Sequence, residues 1–179
     1  KKRLLDVVNQ WAFVFYYKGL NRKLLELLEH QQALVDGLKD PVREGYHWAW
    51  CGCALWHRHR FSESYDCLMR DRKLAEKAEH AYLTGYACTW LSWIGAEMGN
   101  YAEGRALGER AHAIARSFPS DQYLFFKSFM GLCYISFFEG DSQNVFTGAA
   151  TLLDYGKSNA NNRSMVFGHW ANSLGHFIV

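Results

Sequence analysis

The chain has 179 residues, enough for one domain or a short array of repeats, and its 49% apolar and 21% charged residues are ordinary for a folded protein. Its net charge of +2 favours neither nucleic acid nor a membrane surface as an obligatory partner. The two prolines are few, which favours long helices, because a proline inside a helix removes a hydrogen bond and clashes with the preceding turn.

The amino-terminal segment resembles neither a signal peptide nor a membrane span. Lys1-Lys2-Arg3 leads into an amphipathic stretch, and the longest apolar run, residues 11–17, is too short to cross a bilayer. The five cysteines are odd in number and lie within helical patterns, which is typical of reduced thiols. Because the chain has no initiating Met, we expect a piece of a longer cytoplasmic polypeptide.

A pattern with a period of about 40 residues runs through the predicted first helices. A bulky residue, an apolar residue, a small residue and a further residue recur in segments 8–15, 48–55, 88–95, 129–136 and, in degenerate form, 169–176. The small residues are spaced 40, 40, 41 and 40 apart, and they are Ala12, Gly52, Ser92, Cys133 and Ser173. A small side chain in mid-helix lets a neighbouring helix approach closely. We therefore expect the first four to be buried at helix contacts.

A second amphipathic helix follows each of the first four, over residues 21–36, 62–77, 102–117 and 141–157, with apolar residues three and four apart. Gly19, Gly99 and Gly140 mark the turn before a second helix, and His59 stands at the same point of the remaining unit. Asp40-Pro41 and Pro119-Ser120-Asp121 mark joints between units, where Asp or Ser caps the next helix. These signals predict nine helices, without a sheet, in a single domain over residues 1–179. Its units are approximately 4–40, 41–79, 80–118, 119–160 and, incomplete, 161–179.

The repeat resembles the tetratricopeptide (TPR) family. The family signature of Trp, two residues, Leu-Gly, two residues and Tyr is best matched by Trp48, Cys51, Gly52 and Leu55, with Phe61 after the turn. The units exceed the usual length of about 34 residues by about six. They resemble the long-unit arrays of bacterial signalling proteins, including those fused to an NTPase module and a class III nucleotide cyclase domain. HEAT and armadillo repeats share the period but lack the regular glycine turn, and are the second choice.

The resemblance implies an all-α, right-handed α-α superhelix (solenoid) of about four and a half helical hairpins, whose first helices line a concave face. In the family this face binds peptides or a helix of another protein. The residues expected in this partner-binding groove are Tyr16, Trp56, His57, Trp93, Glu97, Met130, Tyr134, Phe137 and Trp170. Aromatic residues are favoured binding anchors, although each alone more often fills the gap between adjacent repeats. The lining has no cluster of Lys and Asn, so it suits an apolar or amphipathic segment rather than an acidic tail.

The sequence gives no pattern for catalysis, a metal or a cofactor, and we expect none of the three. Arg58-His59-Arg60 is a basic cluster, and such clusters usually lie at a solvated helix end. Cys51 and Cys53 do not share a helix face, and Cys53 with His57 supplies only two ligands.

The sequence thus predicts a scaffold for protein–protein interaction or regulation. The alternative is a sensor that encloses a small apolar ligand or a signalling peptide, and an all-helical enzyme with an unrecognised site comes third. The partner is expected to be a protein or peptide, and neither a nucleic acid nor a membrane. Because the last unit lacks its second helix, we also expect self-association through residues 161–179, which carry Phe167, Trp170, Leu174 and Phe177.

Overall fold

The computed structural model describes residues 1–179 apart from the side chain of Gln122. In this described part the chain forms ten α-helices and no β-strand. The helices are α1 (Lys2–Tyr17), α2 (Asn21–Glu29), α3 (Gln32–Asp36), α4 (Pro41–Trp56), α5 (Phe61–Lys77), α6 (Ala81–Glu97), α7 (Tyr101–Ala115), α8 (Gln122–Phe138), α9 (Ser142–Ser158) and α10 (Asn162–Ile178). None of the helices so described is both long and apolar enough to span a membrane.

The chain divides into two compact units, Lys1–Ala87 and Cys88–Val179. We call these the first unit and the second unit, and we use the word repeat for one pair of first and second helices. The first unit contains α1 to α5 and the beginning of α6. The second contains the rest of α6 and α7 to α10. Within each unit, first and second helices alternate as the repeat pattern predicts.

The prediction of nine helices is wrong at one place, because the expected helix over residues 21–36 is divided into α2 and α3 by a turn at His30 and Gln31. The Glu26 carbonyl accepts hydrogen bonds from both the backbone N–H and the ring Nδ1 of His30. Such a side-chain bond to the backbone competes with continuation of the helix. The other second helices, α5, α7 and α9, have ends within two residues of the predicted ones.

Aspartates cap the helices that begin at two joints between repeats, as predicted. Asp40 accepts the Arg43 N–H at 3.2 Å and precedes Pro41 at the first position of α4. Asp121 accepts the N–H groups of Tyr123 and Leu124 at the start of α8. These caps satisfy donors that the first turn of a helix leaves free.

The turns between first and second helices share a left-handed residue. Gly19, Gly99 and Gly140 have φ of +68°, +76° and +76°, and His59 takes the same conformation at +57°. A left-handed residue just past a helix end is a common terminator, and glycine adopts it without steric cost. Three joints between repeats also contain a residue in this left-handed conformation, at Lys39, Glu79 and Ala160.

The small residues of the first helices are buried where the pattern places them. Ala12, Ser92 and Cys133 are between 0% and 2% exposed, and Gly52 is buried as well. Gly52 packs on Leu68, and Ser92 on Gly108. Cys133 in turn packs on Gly148. The predicted burial of these four small residues at helix contacts is therefore confirmed.

Ser173, in phase with these residues, is exposed. The buried residues of α10 are Ser164, Gly168, Ala171 and Gly175 instead, and their face packs on α9.

Candidate partner-binding surfaces

An aromatic cluster lies at the centre of the second unit, where α6, α8 and α10 meet. The Trp93 ring centroid is 5.5 Å from that of Tyr134, 5.9 Å from Phe167 and 5.8 Å from Trp170. The Trp93 Nε1–H donates to the Lys127 carbonyl oxygen at 3.2 Å. Trp93 is only 5% exposed, so it forms a fixed base for the rings around it.

The outer side of this cluster is accessible. We call Tyr134, Phe137, Phe138, Trp170 and Phe177 the aromatic edge. Phe138 is 37% and Phe177 is 83% exposed, and the other three are half-buried. Consecutive rings touch, with centroid distances of 5.0 Å for Tyr134–Phe138, 5.8 Å for Tyr134–Trp170 and 6.1 Å for Phe137–Phe177.

Glu97 orients the polar tip of the aromatic edge. The Tyr134 hydroxyl donates to Glu97 Oε1 at 2.7 Å. Burial, and then the neighbouring Glu97 carboxylate, raise the pKa of Tyr134, so this hydroxyl stays protonated. The edge thus combines exposed rings with one fixed carboxylate, a surface suited to an apolar segment that carries a hydrogen-bond donor.

Four of the nine predicted groove residues, Glu97, Tyr134, Phe137 and Trp170, meet at the aromatic edge. Met130 is fully buried, and Trp93 nearly so. Neither offers a partner any surface in this conformation, and Trp93 instead fills the space between neighbouring helices. The sequence pattern did not separate these core positions from accessible ones, because both recur at the same helical spacing.

The remaining three predicted residues belong to the first unit. The Tyr16 ring lies 5.2 Å from the His57 ring and 5.7 Å from the Trp50 ring, and Trp56 lies 4.8 Å from His57. His57 is exposed, while Tyr16 and Trp56 are half-buried.

A cleft of about 640 Å³ lies between α1 and α4 in the same unit. Its lining residues are Asp6, Asn9, Gln10, Phe13, Val42, Arg43, Tyr46 and Trp50. None of these is in the predicted groove set. The spacing in the sequence could have indicated these residues. Asn9 and Phe13 lie on one face of α1, and Tyr46 and Trp50 lie on one face of α4.

The charges at this cleft compensate one another. Arg43 donates from Nε and Nη2 to the two carboxylate oxygens of Asp6, at 2.9 Å and 3.0 Å, and from Nη1 to Asp40 at 2.8 Å. These hydrogen bonds raise the pKa of Arg43, and the bond from Arg43 lowers the pKa of Asp6. An occupant of the cleft therefore meets a largely neutral mixture of rings and side-chain amides.

Two side chains that the sequence analysis considered for chemistry, those of Cys51 and Arg60, have structural partners instead. Burial raises the pKa of Cys51 and lowers that of His47, its neighbour at 3.7 Å, to about 4, so thiol and imidazole are both neutral at pH 7. Arg60 is paired with Glu63. Among the described residues no group of three or more His, Cys, Asp or Glu is arranged to hold a metal ion.

Neither a protein family model nor a curated protein matches the sequence. The solved structures that are similar in fold include a kinesin light chain-like protein of Podosopora anserina with nearly identical TPR-like repeats, and a single-residue variant of it. The alignments have TM-scores of 0.66 and 0.68, cover 97% of this chain and 94% and 89% of those chains, and show 15% identity in each case. The chain therefore has the all-α fold of TPR-like helical hairpins, as predicted. At this identity the likeness concerns the fold alone.

Proposed function

We propose that this chain is a protein-binding scaffold without catalytic activity, and that the aromatic edge anchors a peptide or a partner helix. The observation that carries the proposal is the run of touching, partly exposed rings from Phe138 to Phe177 on the buried base of Trp93. Contiguous exposed apolar surface of this kind marks interaction sites, and rings held in place lose little entropy on binding.

The chemistry of the edge suggests the kind of segment it takes. Its rings favour large apolar side chains, and the Glu97 carboxylate favours a donor or a cation beside them. We also propose that the chain is related to the long-unit arrays of bacterial signalling proteins. In that case it is cytoplasmic and is attached to an NTPase or cyclase module. Self-association through residues 161–179 is a further part, supported by the exposure of Val166 and Phe177 on α10.

The second candidate is a sensor for a small apolar ligand or signalling peptide. The cleft between α1 and α4 favours it, because about 640 Å³ is within the range of small-molecule pockets and Phe13 and Trp50 line it. A ligand bound there raises the melting temperature of the chain. Gln10→Trp, which fills the cleft from an exposed position, abolishes that rise, whereas Gln10→Ala retains it.

The decisive experiment for the scaffold is quantitative capture of proteins from native lysate, followed by titration of the purified partner. Phe138→Ala and Phe177→Ala are suitable variants because both side chains are exposed, so the fold tolerates their loss. Val14→Ala, an exposed apolar position on α1, is the matched control. A partner that is lost with both edge variants and retained with the control supports the proposal. A partner that is retained by both edge variants contradicts it.

A further inference from the structure

A carboxylate without a cation lies beside the aromatic edge. Glu97 is the last residue of α6 and is half-buried. It accepts the Tyr134 hydroxyl, and no cationic side chain of the described residues pairs with it. Partial removal of a carboxylate from water costs free energy that a nearby cation offsets. The Tyr134 hydroxyl is a single donor, so Glu97 retains the capacity to accept further hydrogen bonds.

The electrostatic surroundings of Glu97 favour a positive ligand. The charged residues of segments 95–105 and 134–144, at the ends of α6 and α8, are Glu97, Glu103, Arg105, Glu139 and Asp141. Arg105 is the one base in these segments, and it pairs with Glu139. Glu97 and Phe138 end α6 and α8, so the negative ends of two helix dipoles lie at the same side of the site. A cation that approaches the aromatic edge is therefore attracted.

The chain contains a model for the kind of cation that fits a ring and a carboxylate together. The guanidinium carbon of Arg70 lies 4.1 Å from the ring centroid of Trp48, and its Nη2 donates to Glu44 Oε1 at 2.8 Å. A planar guanidinium lies flat on a ring and donates from its edge to a carboxylate at the same time. The ammonium of lysine is compact and strongly hydrated, which suits this arrangement less well.

We infer that the aromatic edge recognises an arginine side chain of the partner protein, with the guanidinium on the rings beside Tyr134 and its N–H groups donating to Glu97. This inference rests on the proposed function, because it names the chemistry of the segment that the edge anchors. Glu97 and Tyr134 belong to α6 and α8, which have described helices before and after them in the chain. Neither end of the sequence therefore accounts for the accessibility of this site.

Selection from a random peptide library displayed on phage tests the inference with the full chain. Selected peptides that bind the parent and are released by Phe138→Ala are those that occupy the aromatic edge. We expect an arginine next to large apolar residues in these peptides. The preference for arginine should disappear when the selection is repeated on Glu97→Gln, whose side-chain carbonyl still accepts the Tyr134 hydroxyl. It should persist on Glu109→Gln, an exposed position of α7 that serves as the matched control.

Titration of a selected peptide by fluorescence anisotropy measures the contribution of the charge. Replacement of its arginine by citrulline, a neutral side chain of nearly the same shape, should weaken binding to the parent by at least about tenfold. The same replacement should have an effect of about threefold or less on Glu97→Gln, because the two changes remove one shared interaction. Replacement by lysine should also weaken binding to the parent. The effect of citrulline should shrink at high salt.

Several outcomes would overturn the inference and leave the scaffold function intact. These are edge-binding peptides without an arginine, an arginine that lysine or citrulline replaces without loss, and an effect of citrulline that is equal in the parent and in Glu97→Gln. Failure to select any peptide that Phe138→Ala releases would count against the inference and the proposed function together. A dimer in sedimentation that Glu97→Gln abolishes would assign the cation to a second copy of this chain, and so would also overturn the inference.

Discussion

Gly52 of α4 lies so close to Leu68 of α5 that a Cβ at position 52 would stand 2.5 Å from the Leu68 Cγ. Both residues are buried, and three carbons of Leu68 surround that point within 3.1 Å. The contact joins the two helices of the second repeat at the position where Ala12, Ser92 and Cys133 stand in other repeats.

Gly52→Leu is expected to destabilise the fold by about 1–3 kcal/mol or more, because the larger side chain overpacks this contact. Urea unfolding followed by circular dichroism measures the change. Gly37→Ala is the control, since a Cβ there meets a single carbonyl oxygen at an ordinary 3.5 Å. A Gly52→Leu protein as stable as the parent would refute the assigned register.

His59→Gly is expected to stabilise the fold by up to ~1 kcal/mol, because His59 occupies a left-handed conformation that costs a residue with a Cβ free energy. The gain is limited by the greater freedom of glycine in the unfolded chain. Gly99→Ala, at the equivalent turn, should change the free energy of unfolding in the opposite direction. Equal effects of the same sign would contradict this reading of the turns.

Asp71 is expected to make the stability of the chain depend on pH. Its side chain is fully buried beside Gly45, and neither carboxylate oxygen has a hydrogen-bond partner among the described residues. Burial raises its pKa well above 3.8, so the folded chain holds a proton that the unfolded chain releases. This contribution to stability is complete below about pH 3.9 and declines as the pH rises towards the folded pKa.

Asp71→Asn removes that proton equilibrium. We expect this variant to have a higher free energy of unfolding than the parent at pH 7. The gain is about 1.4 kcal/mol for each pH unit between the unfolded pKa of Asp71 and its folded pKa, counted no further than pH 7. The difference from the parent should vanish near pH 4. Chemical unfolding at a series of pH values measures it, and a constant difference at every pH would rule out titration of Asp71 as the cause.

Trp93→Ala is expected to cost about 3–5 kcal/mol of stability, because Trp93 is the buried centre of the aromatic cluster. The sequence analysis places Trp93 in the partner-binding groove, whereas its burial makes it part of the core. Phe138→Ala, at the exposed edge, should cost less than about 1 kcal/mol. Thermal unfolding of the two variants compares them directly, and a mild effect of Trp93→Ala would show that the cluster is not a structural core.

The sequence predicts the repeat and its register because both depend on residues with a direct steric meaning. A small residue every 40 positions and a glycine at the turn each permit one local geometry, and the helices form around them. The sequence does not predict the break at His30. Nor does it predict the left-handed residues at Lys39, Glu79 and Ala160, because none of these positions is a glycine or a proline.

The candidate site is less predictable for a different reason. Met130 and Tyr134 lie one turn apart on the same helix and share a pattern, yet the first is fully buried and the second half-buried. The surroundings of α8 include α10, which packs against it from another repeat and places Trp170 against Tyr134. Spacing along one helix carries no information on that neighbour.

Hydrogen–deuterium exchange of the chain with and without its purified protein partner locates the surface that the partner covers. Binding at the aromatic edge predicts slower exchange at the carboxyl-terminal halves of α8 and α10, which carry it, and loss of this protection in Phe177→Ala. Protection that is absent from both segments, or that Phe138→Ala and Phe177→Ala leave unchanged, would contradict binding at the aromatic edge.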